Sequence, residues 1–175
     1  WCDMQGGAFF YPEGGAIYGS FSVADCRLTN LPYMYIWYPT GPSEFLRNEF
    51  VDSESIGIVT SSIVTISNNK FTGYKASRFT PVAAIEVIEN YEVLPEYRPT
   101  LVIQGNSFLD VGTVSVRLRI GGYTRRMIDV QGNYWGTDNY ATMESMVFDE
   151  KDDLAAPGII TFDPFLTSPD PAAPK

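Results

Sequence analysis

The motif Asn69-Lys70-Phe71, an Asn followed by any residue and an aromatic, recurs along the chain. Three further copies are Asn48-Glu49-Phe50, Asn106-Ser107-Phe108 and Asn133-Tyr134-Trp135. Two earlier copies, Cys2-Asp3-Met4 and Cys26-Arg27-Leu28, carry Cys in place of Asn and an aliphatic residue in place of the aromatic. Successive copies lie 24, 22, 21, 37 and 27 residues apart. A unit of twenty-odd residues that repeats irregularly, with insertions between copies, is typical of a solenoid.

Short strands rather than helices build the repeat. The segments Ile63–Ile66, Leu101–Ile103 and Val114–Leu118 are rich in β-branched residues and alternate with period two. In a parallel stack, copies of one residue lie about 4.8 Å apart, so a stacked Asn can hydrogen-bond the Asn above and below it. We expect the aromatic of each motif to fill the core. The predicted ladder residues are Cys2, Cys26, Asn48, Asn69, Asn106 and Asn133.

The segments Ile66–Phe71 and Ile103–Phe108 resemble coils of the right-handed parallel β-helix, or pectin-lyase-like, superfamily. The ending, with Gly132–Thr137, a short helix, Phe148–Asp153 and Ile160–Thr167, resembles the closing segment of secreted or cell-surface members. The resemblance covers nearly the whole chain. It implies an all-β solenoid, a right-handed parallel β-helix of about six coils, one for each motif copy, closed at the C-terminus by a short helix and strand. It implies little about activity, because this fold carries many unrelated functions.

The predicted domain spans residues 1–168, and its closing cap spans about residues 138–168. The cap contains apolar residues at helical spacing, and we interpret it as a lid over the exposed end of the stack. Residues 169–175 form a Pro/Ala-rich tail of linker type. The helix-spaced apolar residues are Met143, Met146 and Val147.

Composition limits the partners and the cellular location. The net charge is −9 and the pI is near 4.4, which argues against nucleic acid and disfavours anionic polysaccharides unless calcium bridges them or basic residues cluster locally. No apolar run is long enough for a membrane span, and no segment has the pattern of a signal peptide, so we expect none in this sequence. Because Trp1 begins inside a coil, we expect further β-helix coils upstream; an atypical first coil that caps the stack is the alternative.

Cys2 and Cys26 lie one repeat apart at equivalent ladder positions. The expected spacing of about 4.8 Å falls inside the Cα window for a disulfide, and an extracellular or cell-surface address favours the bond. A reduced, buried pair that stands in for Asn is the alternative. Two Cys without any His do not complete a structural zinc site.

The absence of His excludes imidazole-based catalysis. In β-helix enzymes, lyases use Arg or Lys with calcium, and glycosidases use clustered carboxylates that flank one bond. Aligning the strands on the motif gives an outward column with one acid, Glu86, and no acid pair on adjacent coils. That column reads Tyr18, Trp37, Gly57, Glu86 and Ser115.

A dense aromatic run, Tyr33–Tyr38, offers flat faces on which sugar rings can stack. We expect Tyr18 and Trp37 to align in adjacent coils, with Tyr35 or Tyr38 at the edge of the strip and Glu86 available for sugar hydroxyls. Burial of these aromatics in the core or under the Tyr11–Glu13 insertion is the alternative. The chain's basic cluster is expected to pair with the acidic closing segment or to contact an acidic ligand. It consists of Arg117, Arg119, Arg125 and Arg126.

Three functions remain open. The first is a noncatalytic extracellular module that displays a glycan-binding or adhesive face. The second is a fragment of a polysaccharide lyase or glycoside hydrolase whose catalytic coils lie upstream, and the third is a structural stalk or spacer. No cofactor is expected; calcium at the acidic turn Glu150–Asp153 is the alternative.

Overall fold

Parallel β-strands dominate the computed structural model of the chain, which describes residues 2–6, 19–60, 62–90, 101–123 and 127–175. The strands are β1 (Cys2–Gln5), β2 (Ser22–Ala24), β3 (Cys26–Thr29), β4 (Met34–Trp37), β5 (Ser43–Leu46), β6 (Glu49–Val51), β7 (Ile56–Thr60), β8 (Val64–Ser67), β9 (Lys70–Thr72), β10 (Ile85–Asn90), β11 (Leu101–Gln104), β12 (Ser107–Phe108), β13 (Val116–Tyr123), β14 (Ile128–Asp129), β15 (Val147–Phe148) and β16 (Ile160–Thr161). One α-helix, α1 (Tyr140–Glu144), lies within the described part. The predicted all-β class with parallel strands is confirmed.

The strands form three larger sheets and one two-stranded sheet. Sheet I has the order β1-β3-β6-β9-β12, sheet II the order β11-β8-β5-β2, and sheet III the order β15-β13-β10-β7-β4, while β14 pairs with β16. From β2 to β13, successive strands belong to sheets II, I and III, and this order of three repeats throughout. The inward residues of all three sheets join one buried apolar cluster, so each strand contributes alternate residues to a shared core.

The motif Asn residues form a continuous chain of hydrogen bonds beside sheet I. The side-chain oxygen Oδ1 of Asn69 accepts from the backbone N–H of Asn48 at 2.8 Å and from its Nδ2 at 3.0 Å. Asn106 receives the same pair of bonds from Asn69, and Asn133 receives them from Asn106. Cys26 begins the series, since its backbone N–H donates to Asn48. All four Asn side chains are fully buried.

The apolar residue three positions before each ladder residue also has a role in the ladder. Each Asn uses Nδ2 to donate to the carbonyl of that residue in the preceding repeat, so both ends of the amide are bonded. The carbonyl acceptors are Val23, Phe45, Ile66 and Ile103. Because a buried amide must find partners for its donors and its acceptor, this arrangement explains why Asn recurs at these positions.

The motif aromatics stack in the core next to the ladder. Phe50 and Phe71 lie 4.8 Å apart with an interplanar angle of 7°, and Phe71 and Phe108 lie 5.3 Å apart at 16°. Trp135 continues the stack at 5.0 Å from Phe108. All are buried, so each repeat packs its ring on the ring of the next.

From Cys26 onward, the residue before each ladder position has a left-handed backbone conformation. Gly105 and Gly132 satisfy this requirement without a Cβ, whereas Arg47 adopts it with φ 53°. Arg47 donates two hydrogen bonds of 2.7 Å to Asp25, the residue at the same position of the preceding repeat. The bond from Arg47 lowers the pKa of this exposed carboxyl below its ordinary value.

Cys2 and Cys26 are joined by a disulfide with a Cα–Cα distance of 4.5 Å. The two residues are register partners in the parallel pair β1–β3. The bond therefore ties the first described strand of sheet I to its neighbour, where the Asn ladder is absent.

At the C-terminal end, α1 is shorter than the sequence predicts. Asn139 caps the helix by accepting from the backbone N–H of Thr142, and Met143 is buried. Val147 does not belong to the helix, because it lies in β15 and pairs with Val116. The helix in the described residues falls short of the length and apolar character that crossing a bilayer requires.

The Pro/Ala tail packs back along the outer face of sheet I. Ala173 is buried, and Lys70 Nζ donates to the backbone carbonyl of Lys175 at 3.3 Å. The sequence predicts a linker here, and the structure instead gives the tail contacts with the domain.

Replacing Asn69 by Leu should destabilise the chain strongly. The substitution keeps the volume but leaves buried groups of Asn48 and Phe45 without partners, at about 1–3 kcal/mol for each group. Thermal unfolding should show a clearly lower Tm than for the control Gln104→Leu, which replaces an exposed amide. Equal Tm values for the two variants would contradict the role of the ladder.

Arg47→Gly should be more stable than Arg47→Ala. Both lose the exposed ion pair with Asp25, but only Gly relieves a left-handed conformation that costs other residues about 1–2 kcal/mol. Urea unfolding should therefore give the Gly variant a free energy of unfolding about 1 kcal/mol higher. The reverse order would contradict the conformational assignment.

Candidate functional site

The outward column of sheet III differs from the one the sequence predicts. Backbone pairing sets Tyr35 beside Gly57 and Glu86 beside Arg117, so the predicted neighbours Trp37 and Ser115 were each wrong by two residues. A period-two pattern cannot detect this error, because a slip of two residues keeps every side chain on its own face. The observed column is Tyr35, Gly57, Glu86, Arg117 and Phe148. The predicted strip partner Tyr18 lies outside the described residues, as do Arg125, Arg126 and the Tyr11–Glu13 segment.

An aromatic strip runs along β4 instead of across the stack. Met34 and Ile36 point into the core and are fully buried, so Tyr33, Tyr35 and Trp37 alternate onto the outer face. The ring centroids of Tyr33 and Tyr35 lie 6.1 Å apart, and those of Tyr35 and Trp37 lie 4.9 Å apart. The strip changes from buried to open along the strand, because Tyr33 is buried whereas Trp37 is 39% exposed.

Tyr33 reaches across the neighbouring strand because that strand has a glycine. A Cβ at Gly57 would overlap the Tyr33 ring, so the ring can lie there only over a residue without a side chain. Val59 and Ile88 complete a second apolar cluster around Tyr33, separate from the main core, with Tyr35 and Tyr38 packed against it. This cluster fixes the inner end of the strip.

Glu86 lies beneath the strip, and both of its carboxylate oxygens accept hydrogen bonds. Its side chain is 2% exposed. Oε2 accepts from the Tyr33 hydroxyl at 2.7 Å and from Arg119 Nη2 at 2.8 Å, while Oε1 accepts from the Thr80 hydroxyl at 2.8 Å. The sequence predicts that Glu86 contacts sugar hydroxyls, but in the structure its partners separate it from the surface.

Two arginines flank Glu86. Arg117 is buried, with Nε 3.8 Å from Glu86 Oε1 and the guanidinium over the Phe148 ring at 4.7 Å; burial lowers its pKa. Burial also acts to lower the pKa of Arg119, but the hydrogen bond and charge of Glu86 outweigh it and raise the pKa above its ordinary value. Both groups stay charged at neutral pH. Their partner is Glu86 and not an acid of the closing segment.

The segment between β9 and β10 covers one side of this group. The Ser77 hydroxyl accepts from the backbone N–H groups of Phe79 and Thr80, which forms a tight turn. Thr80 then bonds Glu86, and the Phe79 ring lies 5.6 Å from the Tyr33 ring. Arg78 stacks on Phe79 at 4.5 Å. The turn therefore adds an aromatic wall, the Phe79 ring, to the site.

These residues enclose a half-open pocket of roughly 200 Å³. Its lining combines aromatic faces with the guanidinium of Arg119. Flat apolar faces beside a few fixed polar groups are typical of small-ligand sites. The lining residues are Tyr33, Tyr35, Phe79 and Arg119.

Phe79 is the lining residue that the sequence analysis missed entirely. Tyr35 is a predicted binding residue, while Tyr33 and Arg119 belong to the predicted aromatic run and basic cluster but not to the predicted binding residues. Tyr33 follows from the alternation that places Tyr35 and Trp37 outward, so a complete reading of the aromatic run would include it. The same alternation predicts that Arg119 points outward, because its neighbour Leu118 points into the core. Phe79 carries no such signal, because it lies in a turn whose path no periodic pattern describes.

The acidic turn shows no arrangement for a metal ion. Asp149 is buried, and its carboxylate accepts from the backbone N–H groups of Lys151 and Ile160, both at 2.8 Å. Asp152 accepts from the Asp149 N–H. Within the described ranges, no group of three or more Asp, Glu, Cys or His is close enough to hold a metal, so calcium at this turn stays a hypothesis without structural support.

Stability above pH 10 should depend on Tyr33. Burial, then the charge of Glu86, raises the pKa of its phenol well above the ordinary value of 10.0. The unfolded chain therefore loses this proton first, so the stabilising contribution is complete below about pH 10 and falls as the pH rises further. Denaturant titrations from pH 8 to 11 should show a shallower alkaline loss for Tyr33→Phe. The loss should stay unchanged in Tyr140→Phe, an exposed control; equal slopes for wild type and Tyr33→Phe would contradict the prediction.

Comparisons of the chain with protein-family models, with curated proteins and with solved structures gave no match.

Proposed function

We propose that the chain is a noncatalytic extracellular or cell-surface module, a right-handed parallel β-helix of about six coils, that binds a glycan on the outer face of sheet III. The observation that carries the proposal is the strip on β4, which leads from the exposed Trp37 through Tyr35 to a pocket closed by Tyr33 and Phe79.

The order of the sheets supports the β-helix. Each return from sheet III to sheet II begins a new repeat, and ladder residues of successive repeats are bonded to each other. A chain that winds through three parallel sheets in constant order has the connectivity of a solenoid. The short α1 and the strands after it would then close the last coil against solvent and against edge-to-edge pairing.

The physical chemistry of the strip supports a sugar as ligand. Pyranose rings present flat C–H faces, and rigid aromatics bury them at little entropic cost. The rings are fixed, since Tyr35 and Trp37 pack edge to face at 4.9 Å and Tyr33 is bonded to Glu86. A structural stalk would need no such graded strip on its surface. Affinity from one or two stacked rings would be weak, so display of many copies would raise it.

The carboxylate inventory supports binding over hydrolysis. A glycosidase needs two carboxyl groups about 5–9.5 Å apart on either side of the scissile bond. None of the four described residues that line the pocket carries a carboxyl group. Of the carboxylates that touch the lining, Glu86 is buried and bonded to Tyr33, Thr80 and Arg119, and Glu54 accepts from the backbone N–H of Tyr33. Arg119 is likewise held by Glu86, so it is poorly suited to act as a base.

The Cys2–Cys26 disulfide supports an extracellular or cell-surface location. Disulfides persist in oxidising compartments and are rare in the cytosol. An extracellular or cell-surface location is also the one in which the protein would meet a surface glycan.

Trp37→Ala should weaken glycan binding about ten-fold without lowering the Tm appreciably. Loss of one stacked ring costs roughly 1 kcal/mol or more, and Trp37 is partly exposed, so its removal leaves no cavity in the main core. A glycan array should identify the ligand, and calorimetric titration should then compare wild type with the variant.

The matched control is Tyr140→Ala, which removes an exposed aromatic on α1 and should leave binding unchanged. If wild type binds no glycan at millimolar concentration, the proposal of a glycan-binding module is wrong, and a structural spacer becomes the proposed function. If Tyr140→Ala weakens binding as much as Trp37→Ala, the location on β4 is wrong.

A further inference from the structure

Arg119 is the charged residue among the four that line the pocket. The carboxylates that touch the lining are already bonded: Glu86 accepts from Arg119 and Tyr33, and Glu54 accepts from the backbone N–H of Tyr33. The charged group that the pocket presents to a ligand is therefore a cation, in a chain with a net charge of −9. We propose that the pocket binds one sugar residue at the end of a glycan chain or branch, and that this residue carries a carboxylate held by Arg119. The proposal rests on the glycan-binding function proposed above.

Both oxygens of Glu86 are already engaged within the protein. Its oxygens already accept from Tyr33, Arg119 and Thr80, and the Tyr33 proton is used in one of these bonds. The charged group among the lining residues is then the guanidinium of Arg119. A carboxylate matches a guanidinium better than a neutral hydroxyl does, because charge-assisted bonds are about twice as strong as neutral ones.

Arg119 is placed and oriented before any ligand arrives. It uses a single atom, Nη2, to donate to Glu86 at 2.8 Å and to the Tyr33 oxygen at 3.2 Å. A guanidinium has five N–H donors in a fixed plane, and the Arg119 side chain is 30% exposed. Donors therefore remain on its open side, and the planar group suits a carboxylate. The contacts with Glu86 and Tyr33 spare the cost of ordering a long side chain on binding.

The shape of the site favours a terminal residue. At the Tyr33 end the Phe79 ring stands against the strip, 5.6 Å from Tyr33, with Arg78 stacked on it. At the other end the strip continues past Tyr35 to the exposed Trp37. A pocket of roughly 200 Å³ with one closed and one open end admits a single ring, and the rest of the glycan leaves over Trp37.

The test compares ligands that differ in one group. Wild type is titrated with sialyllactose, with the same compound reduced from carboxylate to alcohol, and with lactose; a glucuronate-ended disaccharide and a homogalacturonan oligomer form the second set. We expect at least one terminally acidic compound to bind about ten-fold more tightly than its neutral counterpart, and added salt to weaken that binding. The two terminal acids distinguish a sialic-type from a uronic-type residue.

Arg119→Met should abolish the preference for the acidic compound and keep weak binding of the neutral one. Arg119→Lys should retain part of the preference, because it keeps the charge and loses the planar donors. Arg27→Met is the control, since Arg27 is a partly exposed arginine on sheet I that pairs with Glu49, and it should leave the preference intact. Tm values for all variants separate lost binding from lost folding.

Equal affinity for the acidic and the reduced compounds would overturn the inference and leave the glycan-binding function standing. Tighter binding of the homogalacturonan oligomer than of both terminal acids would overturn the assignment to a terminal residue. Absence of binding to every compound, with an array that also finds no ligand, would overturn both proposals.

Discussion

The structure depends on one hydrogen bond, from the backbone N–H of a ladder residue to the side-chain oxygen of the Asn in the next repeat, 2.8–3.0 Å long at each step. The bond is buried, and an unpaired amide there would cost about 1–3 kcal/mol. It therefore penalises any slip of one strand of sheet I against the next. The aromatic two residues further on is aligned by the same constraint, which explains why Phe50, Phe71 and Phe108 stack almost in parallel.

The candidate site arises because loops of different length connect strands whose register is fixed. A longer loop can place additional residues on the surface. Four residues separate β3 from β4 and β6 from β7, whereas twelve residues separate β9 from β10. The short loops carry the register of sheet I directly to sheet III. The long loop has residues to spare, and these form the turn that brings Phe79 and Thr80 over Glu86. The ladder keeps β10 in place while the chain before it departs from the repeat, so an insertion can add a wall to the site without disturbing the core.

The sequence allowed the parallel all-β class to be predicted, because repeated Asn and aromatic residues report directly on stacking. The positions of side chains on sheet III were harder to predict from the sequence. Alternation identifies Tyr35, Trp37 and Glu86 as outward residues, but it does not say which of them are neighbours, since slips of two residues are invisible to it. Alternation also does not reveal which side chains on the outer face of a sheet are buried. Glu86 is hidden because Tyr33 reaches over Gly57 and Thr80 arrives from a loop. The first contact joins residues distant in the sequence, and the second depends on the path of a loop that no periodic pattern describes.

The buried position of Glu86 is itself informative about function. Taking a carboxylate and two guanidinium groups out of water costs several kcal/mol for each ion, and well-packed apolar residues often replace such groups without loss of stability. The outer face of sheet III already has an apolar cluster around Tyr33 that Leu or Val at these positions could extend. Stability alone therefore does not explain the ion cluster. What the cluster achieves is to hold the partly exposed guanidinium of Arg119 at the edge of an aromatic pocket, in one orientation and with donors to spare. A fixed cation at that point agrees with the proposed recognition of a ligand, whereas packing of the fold does not require it.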